Sequence, residues 1–318
     1  MVGAEVAVAI VAFNSAESIG TCVESVVRWL PGAEIVVVDN GSTDGPAAAT
    51  FGAVRVLAGE RNVGFGRACN RAAELAGASH VLFLNPDARL VSVDAEALSR
   101  ALAGAGAFGL RAPALTGSGR PLLRRETSWL RDVVRHAVGA WWPRELHRPG
   151  PARAMGGRLW AAAAAVMVRR DEFLGVGGFD PRFFLYYEDR DLSARYREAG
   201  LPVGELPGVV AVHAGGGSSG DGGLRAAPLA WEYLGWLEYV AARYGLPRAR
   251  LALRLTWGPR AAGLWAARSL AAGGVGAERV RRKAAQLEDV AREVRRLARS
   301  DGADADFCPV ARELLRRG

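Results

Sequence analysis

The sequence predicts an α/β fold in which a mostly parallel central sheet is flanked by helices, followed by a helical C-terminal extension. In the first half of the chain, short apolar runs at 6–11, 34–38 and 81–84 alternate with segments of helical spacing. This alternation is typical of a parallel sheet covered on both faces. Beyond a glycine-rich stretch at 215–223, apolar residues recur at helical spacing only.

The elements of the first half follow one another in a regular order. Pro31-Gly32 ends the first helix, and Gly77 ends the helix before the third apolar run. The predicted elements are a strand at 6–11, a helix at 17–29, a strand at 34–38, a short helix at 44–50, a strand at 54–57, a helix at 66–76 and a strand at 81–84.

The second half is less regular. A strand is predicted within 108–115, and 120–158 is interpreted as a loop or a small helix. A helix at 188–199 and a strand at 209–213 precede the glycine-rich stretch, which we take as the domain boundary. Two apolar stripes then predict long helices, with members at 229, 233, 236, 237, 240 and 244 and at 280, 284, 287, 291, 294 and 298.

The composition limits the class of protein. With 318 residues, of which 50% are hydrophobic, the chain can form one large core or one domain with an extension. The three cysteines, Cys22, Cys69 and Cys308, lack metal-ligand spacing and suggest a reduced, cytosolic chain. We expect no signal peptide, because no basic region precedes the first apolar run. We expect no transmembrane helix, because no uncharged apolar run reaches about 18 residues.

The basic charge is concentrated in the last third of the chain. Residues 223–318 contain 18 Lys and Arg against 10 Asp and Glu, which accounts for the whole net charge of +8. This excess indicates either an ordinary solvated surface or attraction to an anionic membrane or lipid-linked acceptor. No nucleic-acid-binding motif accompanies it. Lys283 is the only lysine, which argues against a lysine-dependent phosphate clamp or a Schiff-base enzyme.

The most informative motif is Asn85-Pro86-Asp87, which directly follows the apolar run at 81–84. In open α/β sheets, ligands bind beyond the carboxyl ends of the strands, so Asp87 is expected at a binding edge. Mg²⁺ and Mn²⁺ keep water and phosphate oxygens as ligands, and one or two protein oxygens are enough to hold them. The alternative is a plain Asn-Pro-Asp turn.

Two further polar segments follow strands of the first half. Asp39 ends the second strand, where its carboxylate could accept hydrogen bonds from a nucleobase or a ribose. The segment 61–70 opens a helix but matches neither Gly-x-Gly-x-x-Gly nor a P-loop, since Cys69 stands at the third glycine and Gly-Lys-Ser/Thr is absent.

A second acidic cluster lies about a hundred residues after Asp87. Glu188, Asp189 and Asp191 follow an aromatic run, and their mutual repulsion and partial burial are expected to raise at least one pKa, which suits a general base. The alternative is a set of helix N-terminal acids stabilised by the helix dipole. His213 ends the last strand and could complete a metal site or make an ordinary hydrogen bond.

Taken in order, these blocks resemble family 2 inverting glycosyltransferases of the GT-A fold, and in particular their rhamnosyltransferase-like branch. The resemblance covers roughly residues 5–215, and the order and separation of the blocks carry it. The matching stretches are Ile10–Asn14, Val38–Gly45, Asn62–Gly66 with Asn70, Leu84–Asp87, Gly177–Asp180, Phe183–Leu192 with Arg195, and His213.

The resemblance implies a division of the chain and a set of roles. It implies a GT-A-like catalytic domain over 1–222, with a donor-binding part at about 1–115 and an acceptor-side part at about 116–222, and a basic helical extension over 223–318. The implied base is Asp189, supported by Glu188 and Asp191. The implied ligands of a divalent metal, Mg²⁺ or Mn²⁺, are Asp87 and His213. The implied nucleotide-sugar-binding residues are Ala12, Phe13, Glu17, Asp39, Asn62, Gly64, Phe65, Asn85, Asp87, Gly177 and Gly178.

The function implied is metal-assisted inverting transfer of a sugar, with a deoxysugar such as rhamnose as the leading candidate. The donor would be a nucleoside diphosphate sugar, and the acceptor a glycan, a lipid-linked molecule or a small molecule. Asn85 stands where the family usually has the first acid of Asp-x-Asp, which suggests as an alternative a non-catalytic nucleotide-sugar-binding or membrane-surface scaffold protein. We expect a cytoplasmic protein, peripheral at the inner face of the membrane through its C-terminal helices, with no nucleic-acid partner.

Overall fold

An eight-stranded sheet is the centre of the first part of the protein. The computed structural model describes residues 2–44, 54–115, 121–138, 158–213, 226–257, 277–300 and 303–317. The strands are β1 (Val6–Ala12), β2 (Glu34–Asp39), β3 (Val54–Ala58), β4 (His80–Leu84), β5 (Ala88–Val93), β6 (Leu110–Leu115), β7 (Leu123–Arg125), β8 (Leu159–Ala161), β9 (Ala165–Arg169) and β10 (Val203–His213).

Helices surround the sheet and form the C-terminal part of the chain. They are α1 (Ala16–Trp29), α2 (Phe65–Leu75), α3 (Ala95–Leu102), α4 (Trp129–Val138), α5 (Arg170–Gly175), α6 (Glu188–Glu198), α7 (Ala226–Tyr244), α8 (residues 246–257), α9 (Ala277–Arg299) and α10 (Pro309–Arg317). Short 3-10 helices lie at Val2–Glu5 and Ala303–Asp306.

The sheet is mostly parallel, as the sequence predicts. Its order is β3-β2-β1-β4-β9-β6-β10-β5, while β7 and β8 form a separate two-stranded sheet. Within the described residues, four of the seven pairings in the large sheet are parallel. The continuous apolar runs of β1 and β4 are buried along their whole length, because elements cover both faces of the sheet.

The strands that carry the candidate site end at the same edge of the sheet. Strands β2, β1 and β4 run parallel, and β10 is parallel to β6. Because β9 is antiparallel to both β4 and β6, β10 runs in the same direction as β4. The carboxyl ends of β1, β2, β4 and β10 therefore point to the same edge.

The structure adds elements that the sequence analysis did not predict. Strand β5 and helix α3 follow the Asn-Pro-Asp turn, and β10 begins at Val203 rather than at 209. The segment interpreted as irregular contains β7 and α4. The short helix predicted at 44–50 lies outside the described residues except for Asp44.

The chain divides into two compact units. The first consists of Met1–Glu126, Pro149–Pro181 and Glu188–Gly220, and the second of Thr127–Arg148, Arg182–Tyr187 and Asp221–Gly318. The predicted boundary between a catalytic domain at 1–222 and a C-terminal extension at 223–318 stays a prediction. The contacts assign two earlier segments, 127–148 and 182–187, to the unit that contains the C-terminal helices.

The second unit has its own apolar core, centred on α7. The stripe predicted at 229–244 lies on this helix, and Tyr233, Trp236 and Leu237 are buried in it. Glu238 is also fully buried, and its Oε2 accepts the backbone N–H groups of Val310 and Ala311 at 2.9 and 3.0 Å. A buried carboxylate on α7 thus caps the N-terminus of α10. None of the described helices has the length and the apolar character needed to cross a membrane.

Candidate functional site

The loops that follow β1 and β2 are joined by side-chain hydrogen bonds. Asn14 adopts a positive φ of 49°, and its Oδ1 accepts the N–H of Thr43 at 2.8 Å. The N–H of Asn14 donates to Ser42 Oγ at 3.0 Å. Asp44 Oδ2 accepts the N–H of Ala16, the first residue of α1, at 2.8 Å. These bonds fix the loop after Asp39 against the start of α1.

Asn40 and Asn62 connect the loop after β2 to the segment before α2. Asn40 Nδ2 donates to Asn62 Oδ1 at 3.0 Å, and Asn40 Oδ1 accepts the N–H of Val63 at 2.9 Å. Asn62 Oδ1 also accepts the N–H of Gly64 at 2.9 Å. The oxygen of Asn62 is therefore occupied in shaping the turn, while Asp39 Oδ1 accepts the N–H of Ser42 at 2.9 Å.

Helix α2 holds the turn that contains the two predicted glycines. Asn70 Oδ1 accepts the N–H of Phe179, and Asn70 Nδ2 donates to the carbonyl of Phe179, both at 2.8 Å. Gly178 has φ of +64°, and a Cβ there would lie 2.6 Å from Asn70 Oδ1. Gly178 is thus required by the approach of Asn70. Phe65, the first residue of α2, packs edge-to-face on Phe179.

The Asn-Pro-Asp motif forms a closed turn at the carboxyl end of β4. The N–H of Ala88 donates to the carbonyl of Asn85 at 2.9 Å, which places Pro86 at the second position of a four-residue turn, where proline is favoured. The N–H of Asn85 donates to the carbonyl of Ala164 at 2.9 Å. The turn is therefore anchored to the loop between β8 and β9, and Asp87 stands at the binding edge of the sheet.

Asp87 meets His213, which lies 126 residues later in the chain. Strand β10 pairs His213 with Ala88, and His213 Nε2 lies 3.1 Å from Asp87 Oδ1. Both residues are partly exposed. Both residues are metal ligands implied by the family resemblance, and the fold brings them into direct contact.

The pair makes a hydrogen bond, which is the alternative given for His213 above, and its carboxylate oxygen and imidazole nitrogen are also atoms that a divalent cation accepts as ligands. Among the described residues, no group of three or more His, Cys, Asp and Glu could hold a metal ion. A cation held by this pair would need further ligands from water or from a bound molecule.

A single turn connects the Asn-Pro-Asp motif to Asp189. Ala164 accepts the N–H of Asn85, and its neighbour Ala163 donates its N–H to Asp189 Oδ2 at 3.4 Å. Residues 162–164 join β8 to β9, and β9 pairs with β4 up to Leu84. The two acidic motifs, separated by about a hundred residues in sequence, thus lie at the same edge of the sheet.

Glu188 and Asp189, at the start of α6, have different surroundings. Glu188 is only 4% exposed, and its Oε2 has no hydrogen-bond partner in the described structure. Burial, with the adjacent charge of Asp189, raises the pKa of Glu188 well above its usual range. Burial also raises the pKa of Asp189, but Arg124 and the backbone N–H groups of Arg190 and Ala163 oppose that rise.

Arg124 is a candidate site residue to which the sequence analysis gave no role. It lies on β7, opposite Trp160 of β8, with its guanidinium carbon 5.0 Å from the centre of the indole ring. Its charge favours the ionised form of Asp189. The only sequence signal was an arginine pair, Arg124-Arg125, in a segment interpreted as irregular. Their cross-strand pairing with 159–161 cannot be seen without the fold.

Part of the chain matches a known protein family. Residues 7–104 match the family model described as Glycosyl transferase family 2. This part of the chain belongs to glycosyltransferase family 2. The recognition made from the sequence blocks is therefore confirmed, and the family domain contains the Asn-Pro-Asp turn.

Curated relatives point to the rhamnosyltransferase branch. Two N-acetylglucosaminyl-diphospho-decaprenol L-rhamnosyltransferases of Mycobacterium tuberculosis, from two strains, are each 34% identical to this chain over 205 residues. The match covers 56% of this chain and 66% of each relative, so it spans just under two thirds of the relatives' length. Rhamnosyltransferase WbbL of Escherichia coli K12 is 39% identical over 54 residues, which are 17% of this chain and 20% of that protein.

A solved structure shows the same fold. The mannosyltransferase PcManGT from Pyrobaculum calidifontis, in complex with GDP-Man and Mn2+, superposes with a TM-score of 0.51 at 17% identity. The superposition covers 91% of this chain and 86% of that one. The GT-A-like fold predicted from the sequence is thereby confirmed.

The other predicted residues of the glycosyltransferase site lie at strand ends and loops, and their roles stay predictions. Ala12 and Asp39 end β1 and β2, Phe13 is exposed in the loop after β1, and Glu17 is exposed in the first turn of α1. Gly177 is also exposed, and a Cβ there would meet nothing within 4 Å.

Asp191 is buried and engaged within its own helix. Its Oδ2 accepts the Nε–H of Arg195 at 2.7 Å, and Arg195 also donates to the carbonyl of Val176 at 2.8 Å. Asp191 therefore anchors the turn before Gly177 to α6. This contact suits the supporting role that the sequence analysis gave it.

Proposed function

We propose that this chain transfers a sugar from a nucleoside diphosphate sugar to an acceptor hydroxyl with inversion at the anomeric carbon. The observation that carries the proposal is the turn at Ala163 and Ala164, which bonds to Asn85 on one side and to Asp189 on the other. This turn thus anchors both acids of the proposed mechanism to adjacent residues. Asp87 follows Asn85 and suits a diphosphate-bound cation, and Asp189 suits the acceptance of a proton.

Asp189 acts as the general base in this proposal. Its carboxylate takes the proton of the acceptor hydroxyl as that oxygen attacks the anomeric carbon, and the nucleoside diphosphate leaves from the opposite face. Burial and the adjacent charge of Asp189 raise the pKa of the neighbouring Glu188, which favours its neutral form beside the base. Asp189 remains partly exposed, as a base that must reach a substrate requires.

Asp87 and His213 would hold the divalent metal beside the donor diphosphate. The metal, when bound, neutralises the charge that develops on the departing diphosphate. Mg²⁺ prefers oxygen ligands, whereas His213 offers nitrogen, so Mn²⁺ is the better fit to this pair. Asn85 leaves the motif with one carboxylate, and the diphosphate oxygens supply the missing negative charge.

The names of the relatives suggest the substrates. The mycobacterial proteins are named for the transfer of L-rhamnose to a diphospho-decaprenol-linked acceptor. We therefore extend the proposal to a deoxysugar donor such as dTDP-rhamnose and a lipid-linked acceptor. Cys22, Cys69 and Cys308 are buried and free, which suits a reduced cytoplasmic compartment. A lipid-linked acceptor would require a peripheral position at the inner face of the membrane.

The test is turnover by Asp189→Asn with the donor and Mn²⁺. Loss of a positioned base typically lowers the rate by about 10²–10⁴. We expect that loss in kcat, with donor affinity measured by calorimetry preserved. Asp171→Asn, which changes an exposed carboxylate in the first turn of α5, is the matched control and should keep full activity.

Two outcomes would contradict parts of the proposal. Equal turnover in Asp189→Asn and the parent protein would remove Asp189 as the base. Donor binding by the parent protein without release of nucleoside diphosphate, in the presence of any acceptor tested, would favour the alternative of a nucleotide-sugar-binding scaffold.

A further inference from the structure

Helix α8 presents aliphatic side chains to solvent. Leu251 and Leu255 are one turn apart and are 45% and 42% exposed, and Leu246 at the start of the helix is 40% exposed. Ala249, Ala252 and Thr256 on the opposite side are fully buried in the core of the second unit. At 3.6 residues per turn, Leu251 and Leu255 lie together on one flank of the exposed side of α8, and Leu246 lies on the other flank.

The charges on this face are all positive. Arg248, Arg250 and Arg254 are exposed and alternate with the leucines along α8. Residues 246–257 contain no acidic residue. Within the described structure, Arg250 and Arg254 have neither a hydrogen bond nor an ion pair, and Arg248 donates only to the carbonyl of Tyr244 at 3.0 Å.

Helix α4 repeats the pattern. Leu130 and Val134, again one turn apart, are 55% and 40% exposed, and Arg131 is exposed beside them. The acid of this helix, Asp132, is buried and accepts a hydrogen bond from Thr127 at 2.8 Å, so it does not face solvent.

Both helices pack against Tyr233 of α7. His136 of α4 packs edge-to-face on Tyr233, with ring centres 5.8 Å apart. Trp257 of α8 packs on the same tyrosine at 5.7 Å, and Thr256 hydrogen-bonds to its hydroxyl at 2.7 Å. Two helices of the second unit that pack on the same tyrosine thus each expose an aliphatic pair together with at least one arginine.

We propose, resting on the lipid-linked acceptor of the proposed function, that the exposed faces of α4 and α8 form a docking surface for an anionic lipid bilayer. Aliphatic side chains interleaved with arginines suit the boundary between acyl chains and headgroups, where the apolar groups insert and the guanidinium groups meet phosphate. Long arginine side chains can lie along apolar surface and still place their charge among the headgroups. A nucleic acid or an acidic protein would satisfy the arginines but would leave the leucines in water.

The experiment measures partitioning of the full-length chain to vesicles by sedimentation. The vesicles contain either phosphatidylglycerol mixed with phosphatidylcholine or phosphatidylcholine alone. We expect binding to the anionic vesicles only. Arg250→Gln/Arg254→Gln should weaken it by about 25-fold, since each arginine near an anionic surface contributes about a fivefold factor.

Matched variants separate this face from the general charge of the protein. Arg71→Gln/Arg100→Gln removes the same charge from exposed positions on α2 and α3 and should leave binding unchanged. Leu251→Ser/Leu255→Ser should weaken binding although it keeps every charge, whereas Val27→Ser/Leu174→Ser, at exposed positions of the first unit, should not. Circular dichroism verifies that each variant is folded.

Three results would overturn the proposal. Parent protein that pellets equally with neutral and anionic vesicles, or with neither, would remove the anionic bilayer as the partner. An equal loss in the two arginine pairs would assign the binding to net charge. Unchanged binding in Leu251→Ser/Leu255→Ser would exclude insertion and would favour an acidic macromolecule on the arginines.

Discussion

Glu188 and Asp189 are adjacent in the chain but differ in what surrounds them. Glu188 is enclosed and has an oxygen without a donor in the described structure, so its neutral form is favoured. Asp189 receives N–H groups from Ala163 and Arg190 and lies in the field of Arg124. Pairs of acids whose surroundings separate their pKa values are typical of acid–base sites.

The first prediction at this scale concerns Arg124. Its charge lowers the pKa of Asp189, so Arg124→Gln should raise that pKa further. A base works only when deprotonated, and its activity is lost as the pH falls through its pKa. The acidic limb of the kcat profile should therefore move to higher pH in Arg124→Gln and stay in place in Arg124→Lys. An unshifted limb in Arg124→Gln would show that Arg124 does not act on the base.

The second prediction concerns His213. If His213 and Asp87 share a cation, His213→Ala should raise the Mn²⁺ concentration needed for half-maximal turnover by about 10–100-fold, as is usual when a metal site is impaired. His80→Ala is the control and should leave the Mn²⁺ requirement unchanged. His80 is buried at the start of β4, at the opposite end of the strand from the Asn-Pro-Asp turn. An identical Mn²⁺ requirement in His213→Ala and the parent protein would remove His213 from the metal site.

At the scale of elements, α2 and α6 hold the turn at 177–179 from two sides. Asn70 of α2 makes two hydrogen bonds to the backbone of Phe179, and Arg195 of α6 bonds to the carbonyl of Val176. Gly178 is compatible with this arrangement because it lacks a Cβ and tolerates a positive φ. The turn is therefore held by hydrogen bonds from side chains of both helices.

Asn70→Ala tests this arrangement. It leaves two backbone groups of the buried Phe179 without partners, which should lower the free energy of unfolding by roughly 1–3 kcal/mol, as measured by urea denaturation. Arg71→Ala, at the next position but exposed, should change it by no more than about 0.5 kcal/mol. Equal effects of the two substitutions would mean that solvent or other groups replace the lost bonds.

At the scale of the whole molecule, each of the two units has a hydrophobic core of its own. One core contains the sheet and the helices that cover it, and the other contains α7 with its neighbours. Glu238, in the second core, joins α7 to α10 and forms an ion pair with Arg182 at 3.5 Å. Local stability can therefore differ between the units.

Glu238→Ala should destabilise the second unit selectively. Glu238→Ala leaves the N–H groups of Val310 and Ala311 without their acceptor, and each buried group left unpaired typically costs about 1–3 kcal/mol. Hydrogen exchange should accelerate in α7 and α10 but not in β1 and β4, and Glu238→Gln should have a smaller effect. Uniform acceleration across both units would show that the chain unfolds as one cooperative body.

The elements that could be predicted from the sequence share a physical property. Strands β1, β2 and β4 are covered on both faces, so a continuous apolar run reveals them, and α1 has a regular apolar stripe. Strand β5 was missed because it lies at the edge of the sheet, where buried and exposed residues alternate over a few positions. The three-residue strands β7 and β8 are too short for a recognisable sequence pattern, and their pairing with each other defines them.

The sequence alone determined the family blocks, the succession of the main strands along the chain and the identity of the candidate acids. These features depend on local hydrophobicity and on residue type. The tertiary structure decided that Asp87 touches His213, that Asn85 and Asp189 bond to adjacent residues, and that Glu188 loses its contact with water. The reason is that desolvation and hydrogen bonding act through space. Which of two neighbouring carboxylates stays charged therefore depends on residues that the fold brings from elsewhere in the chain.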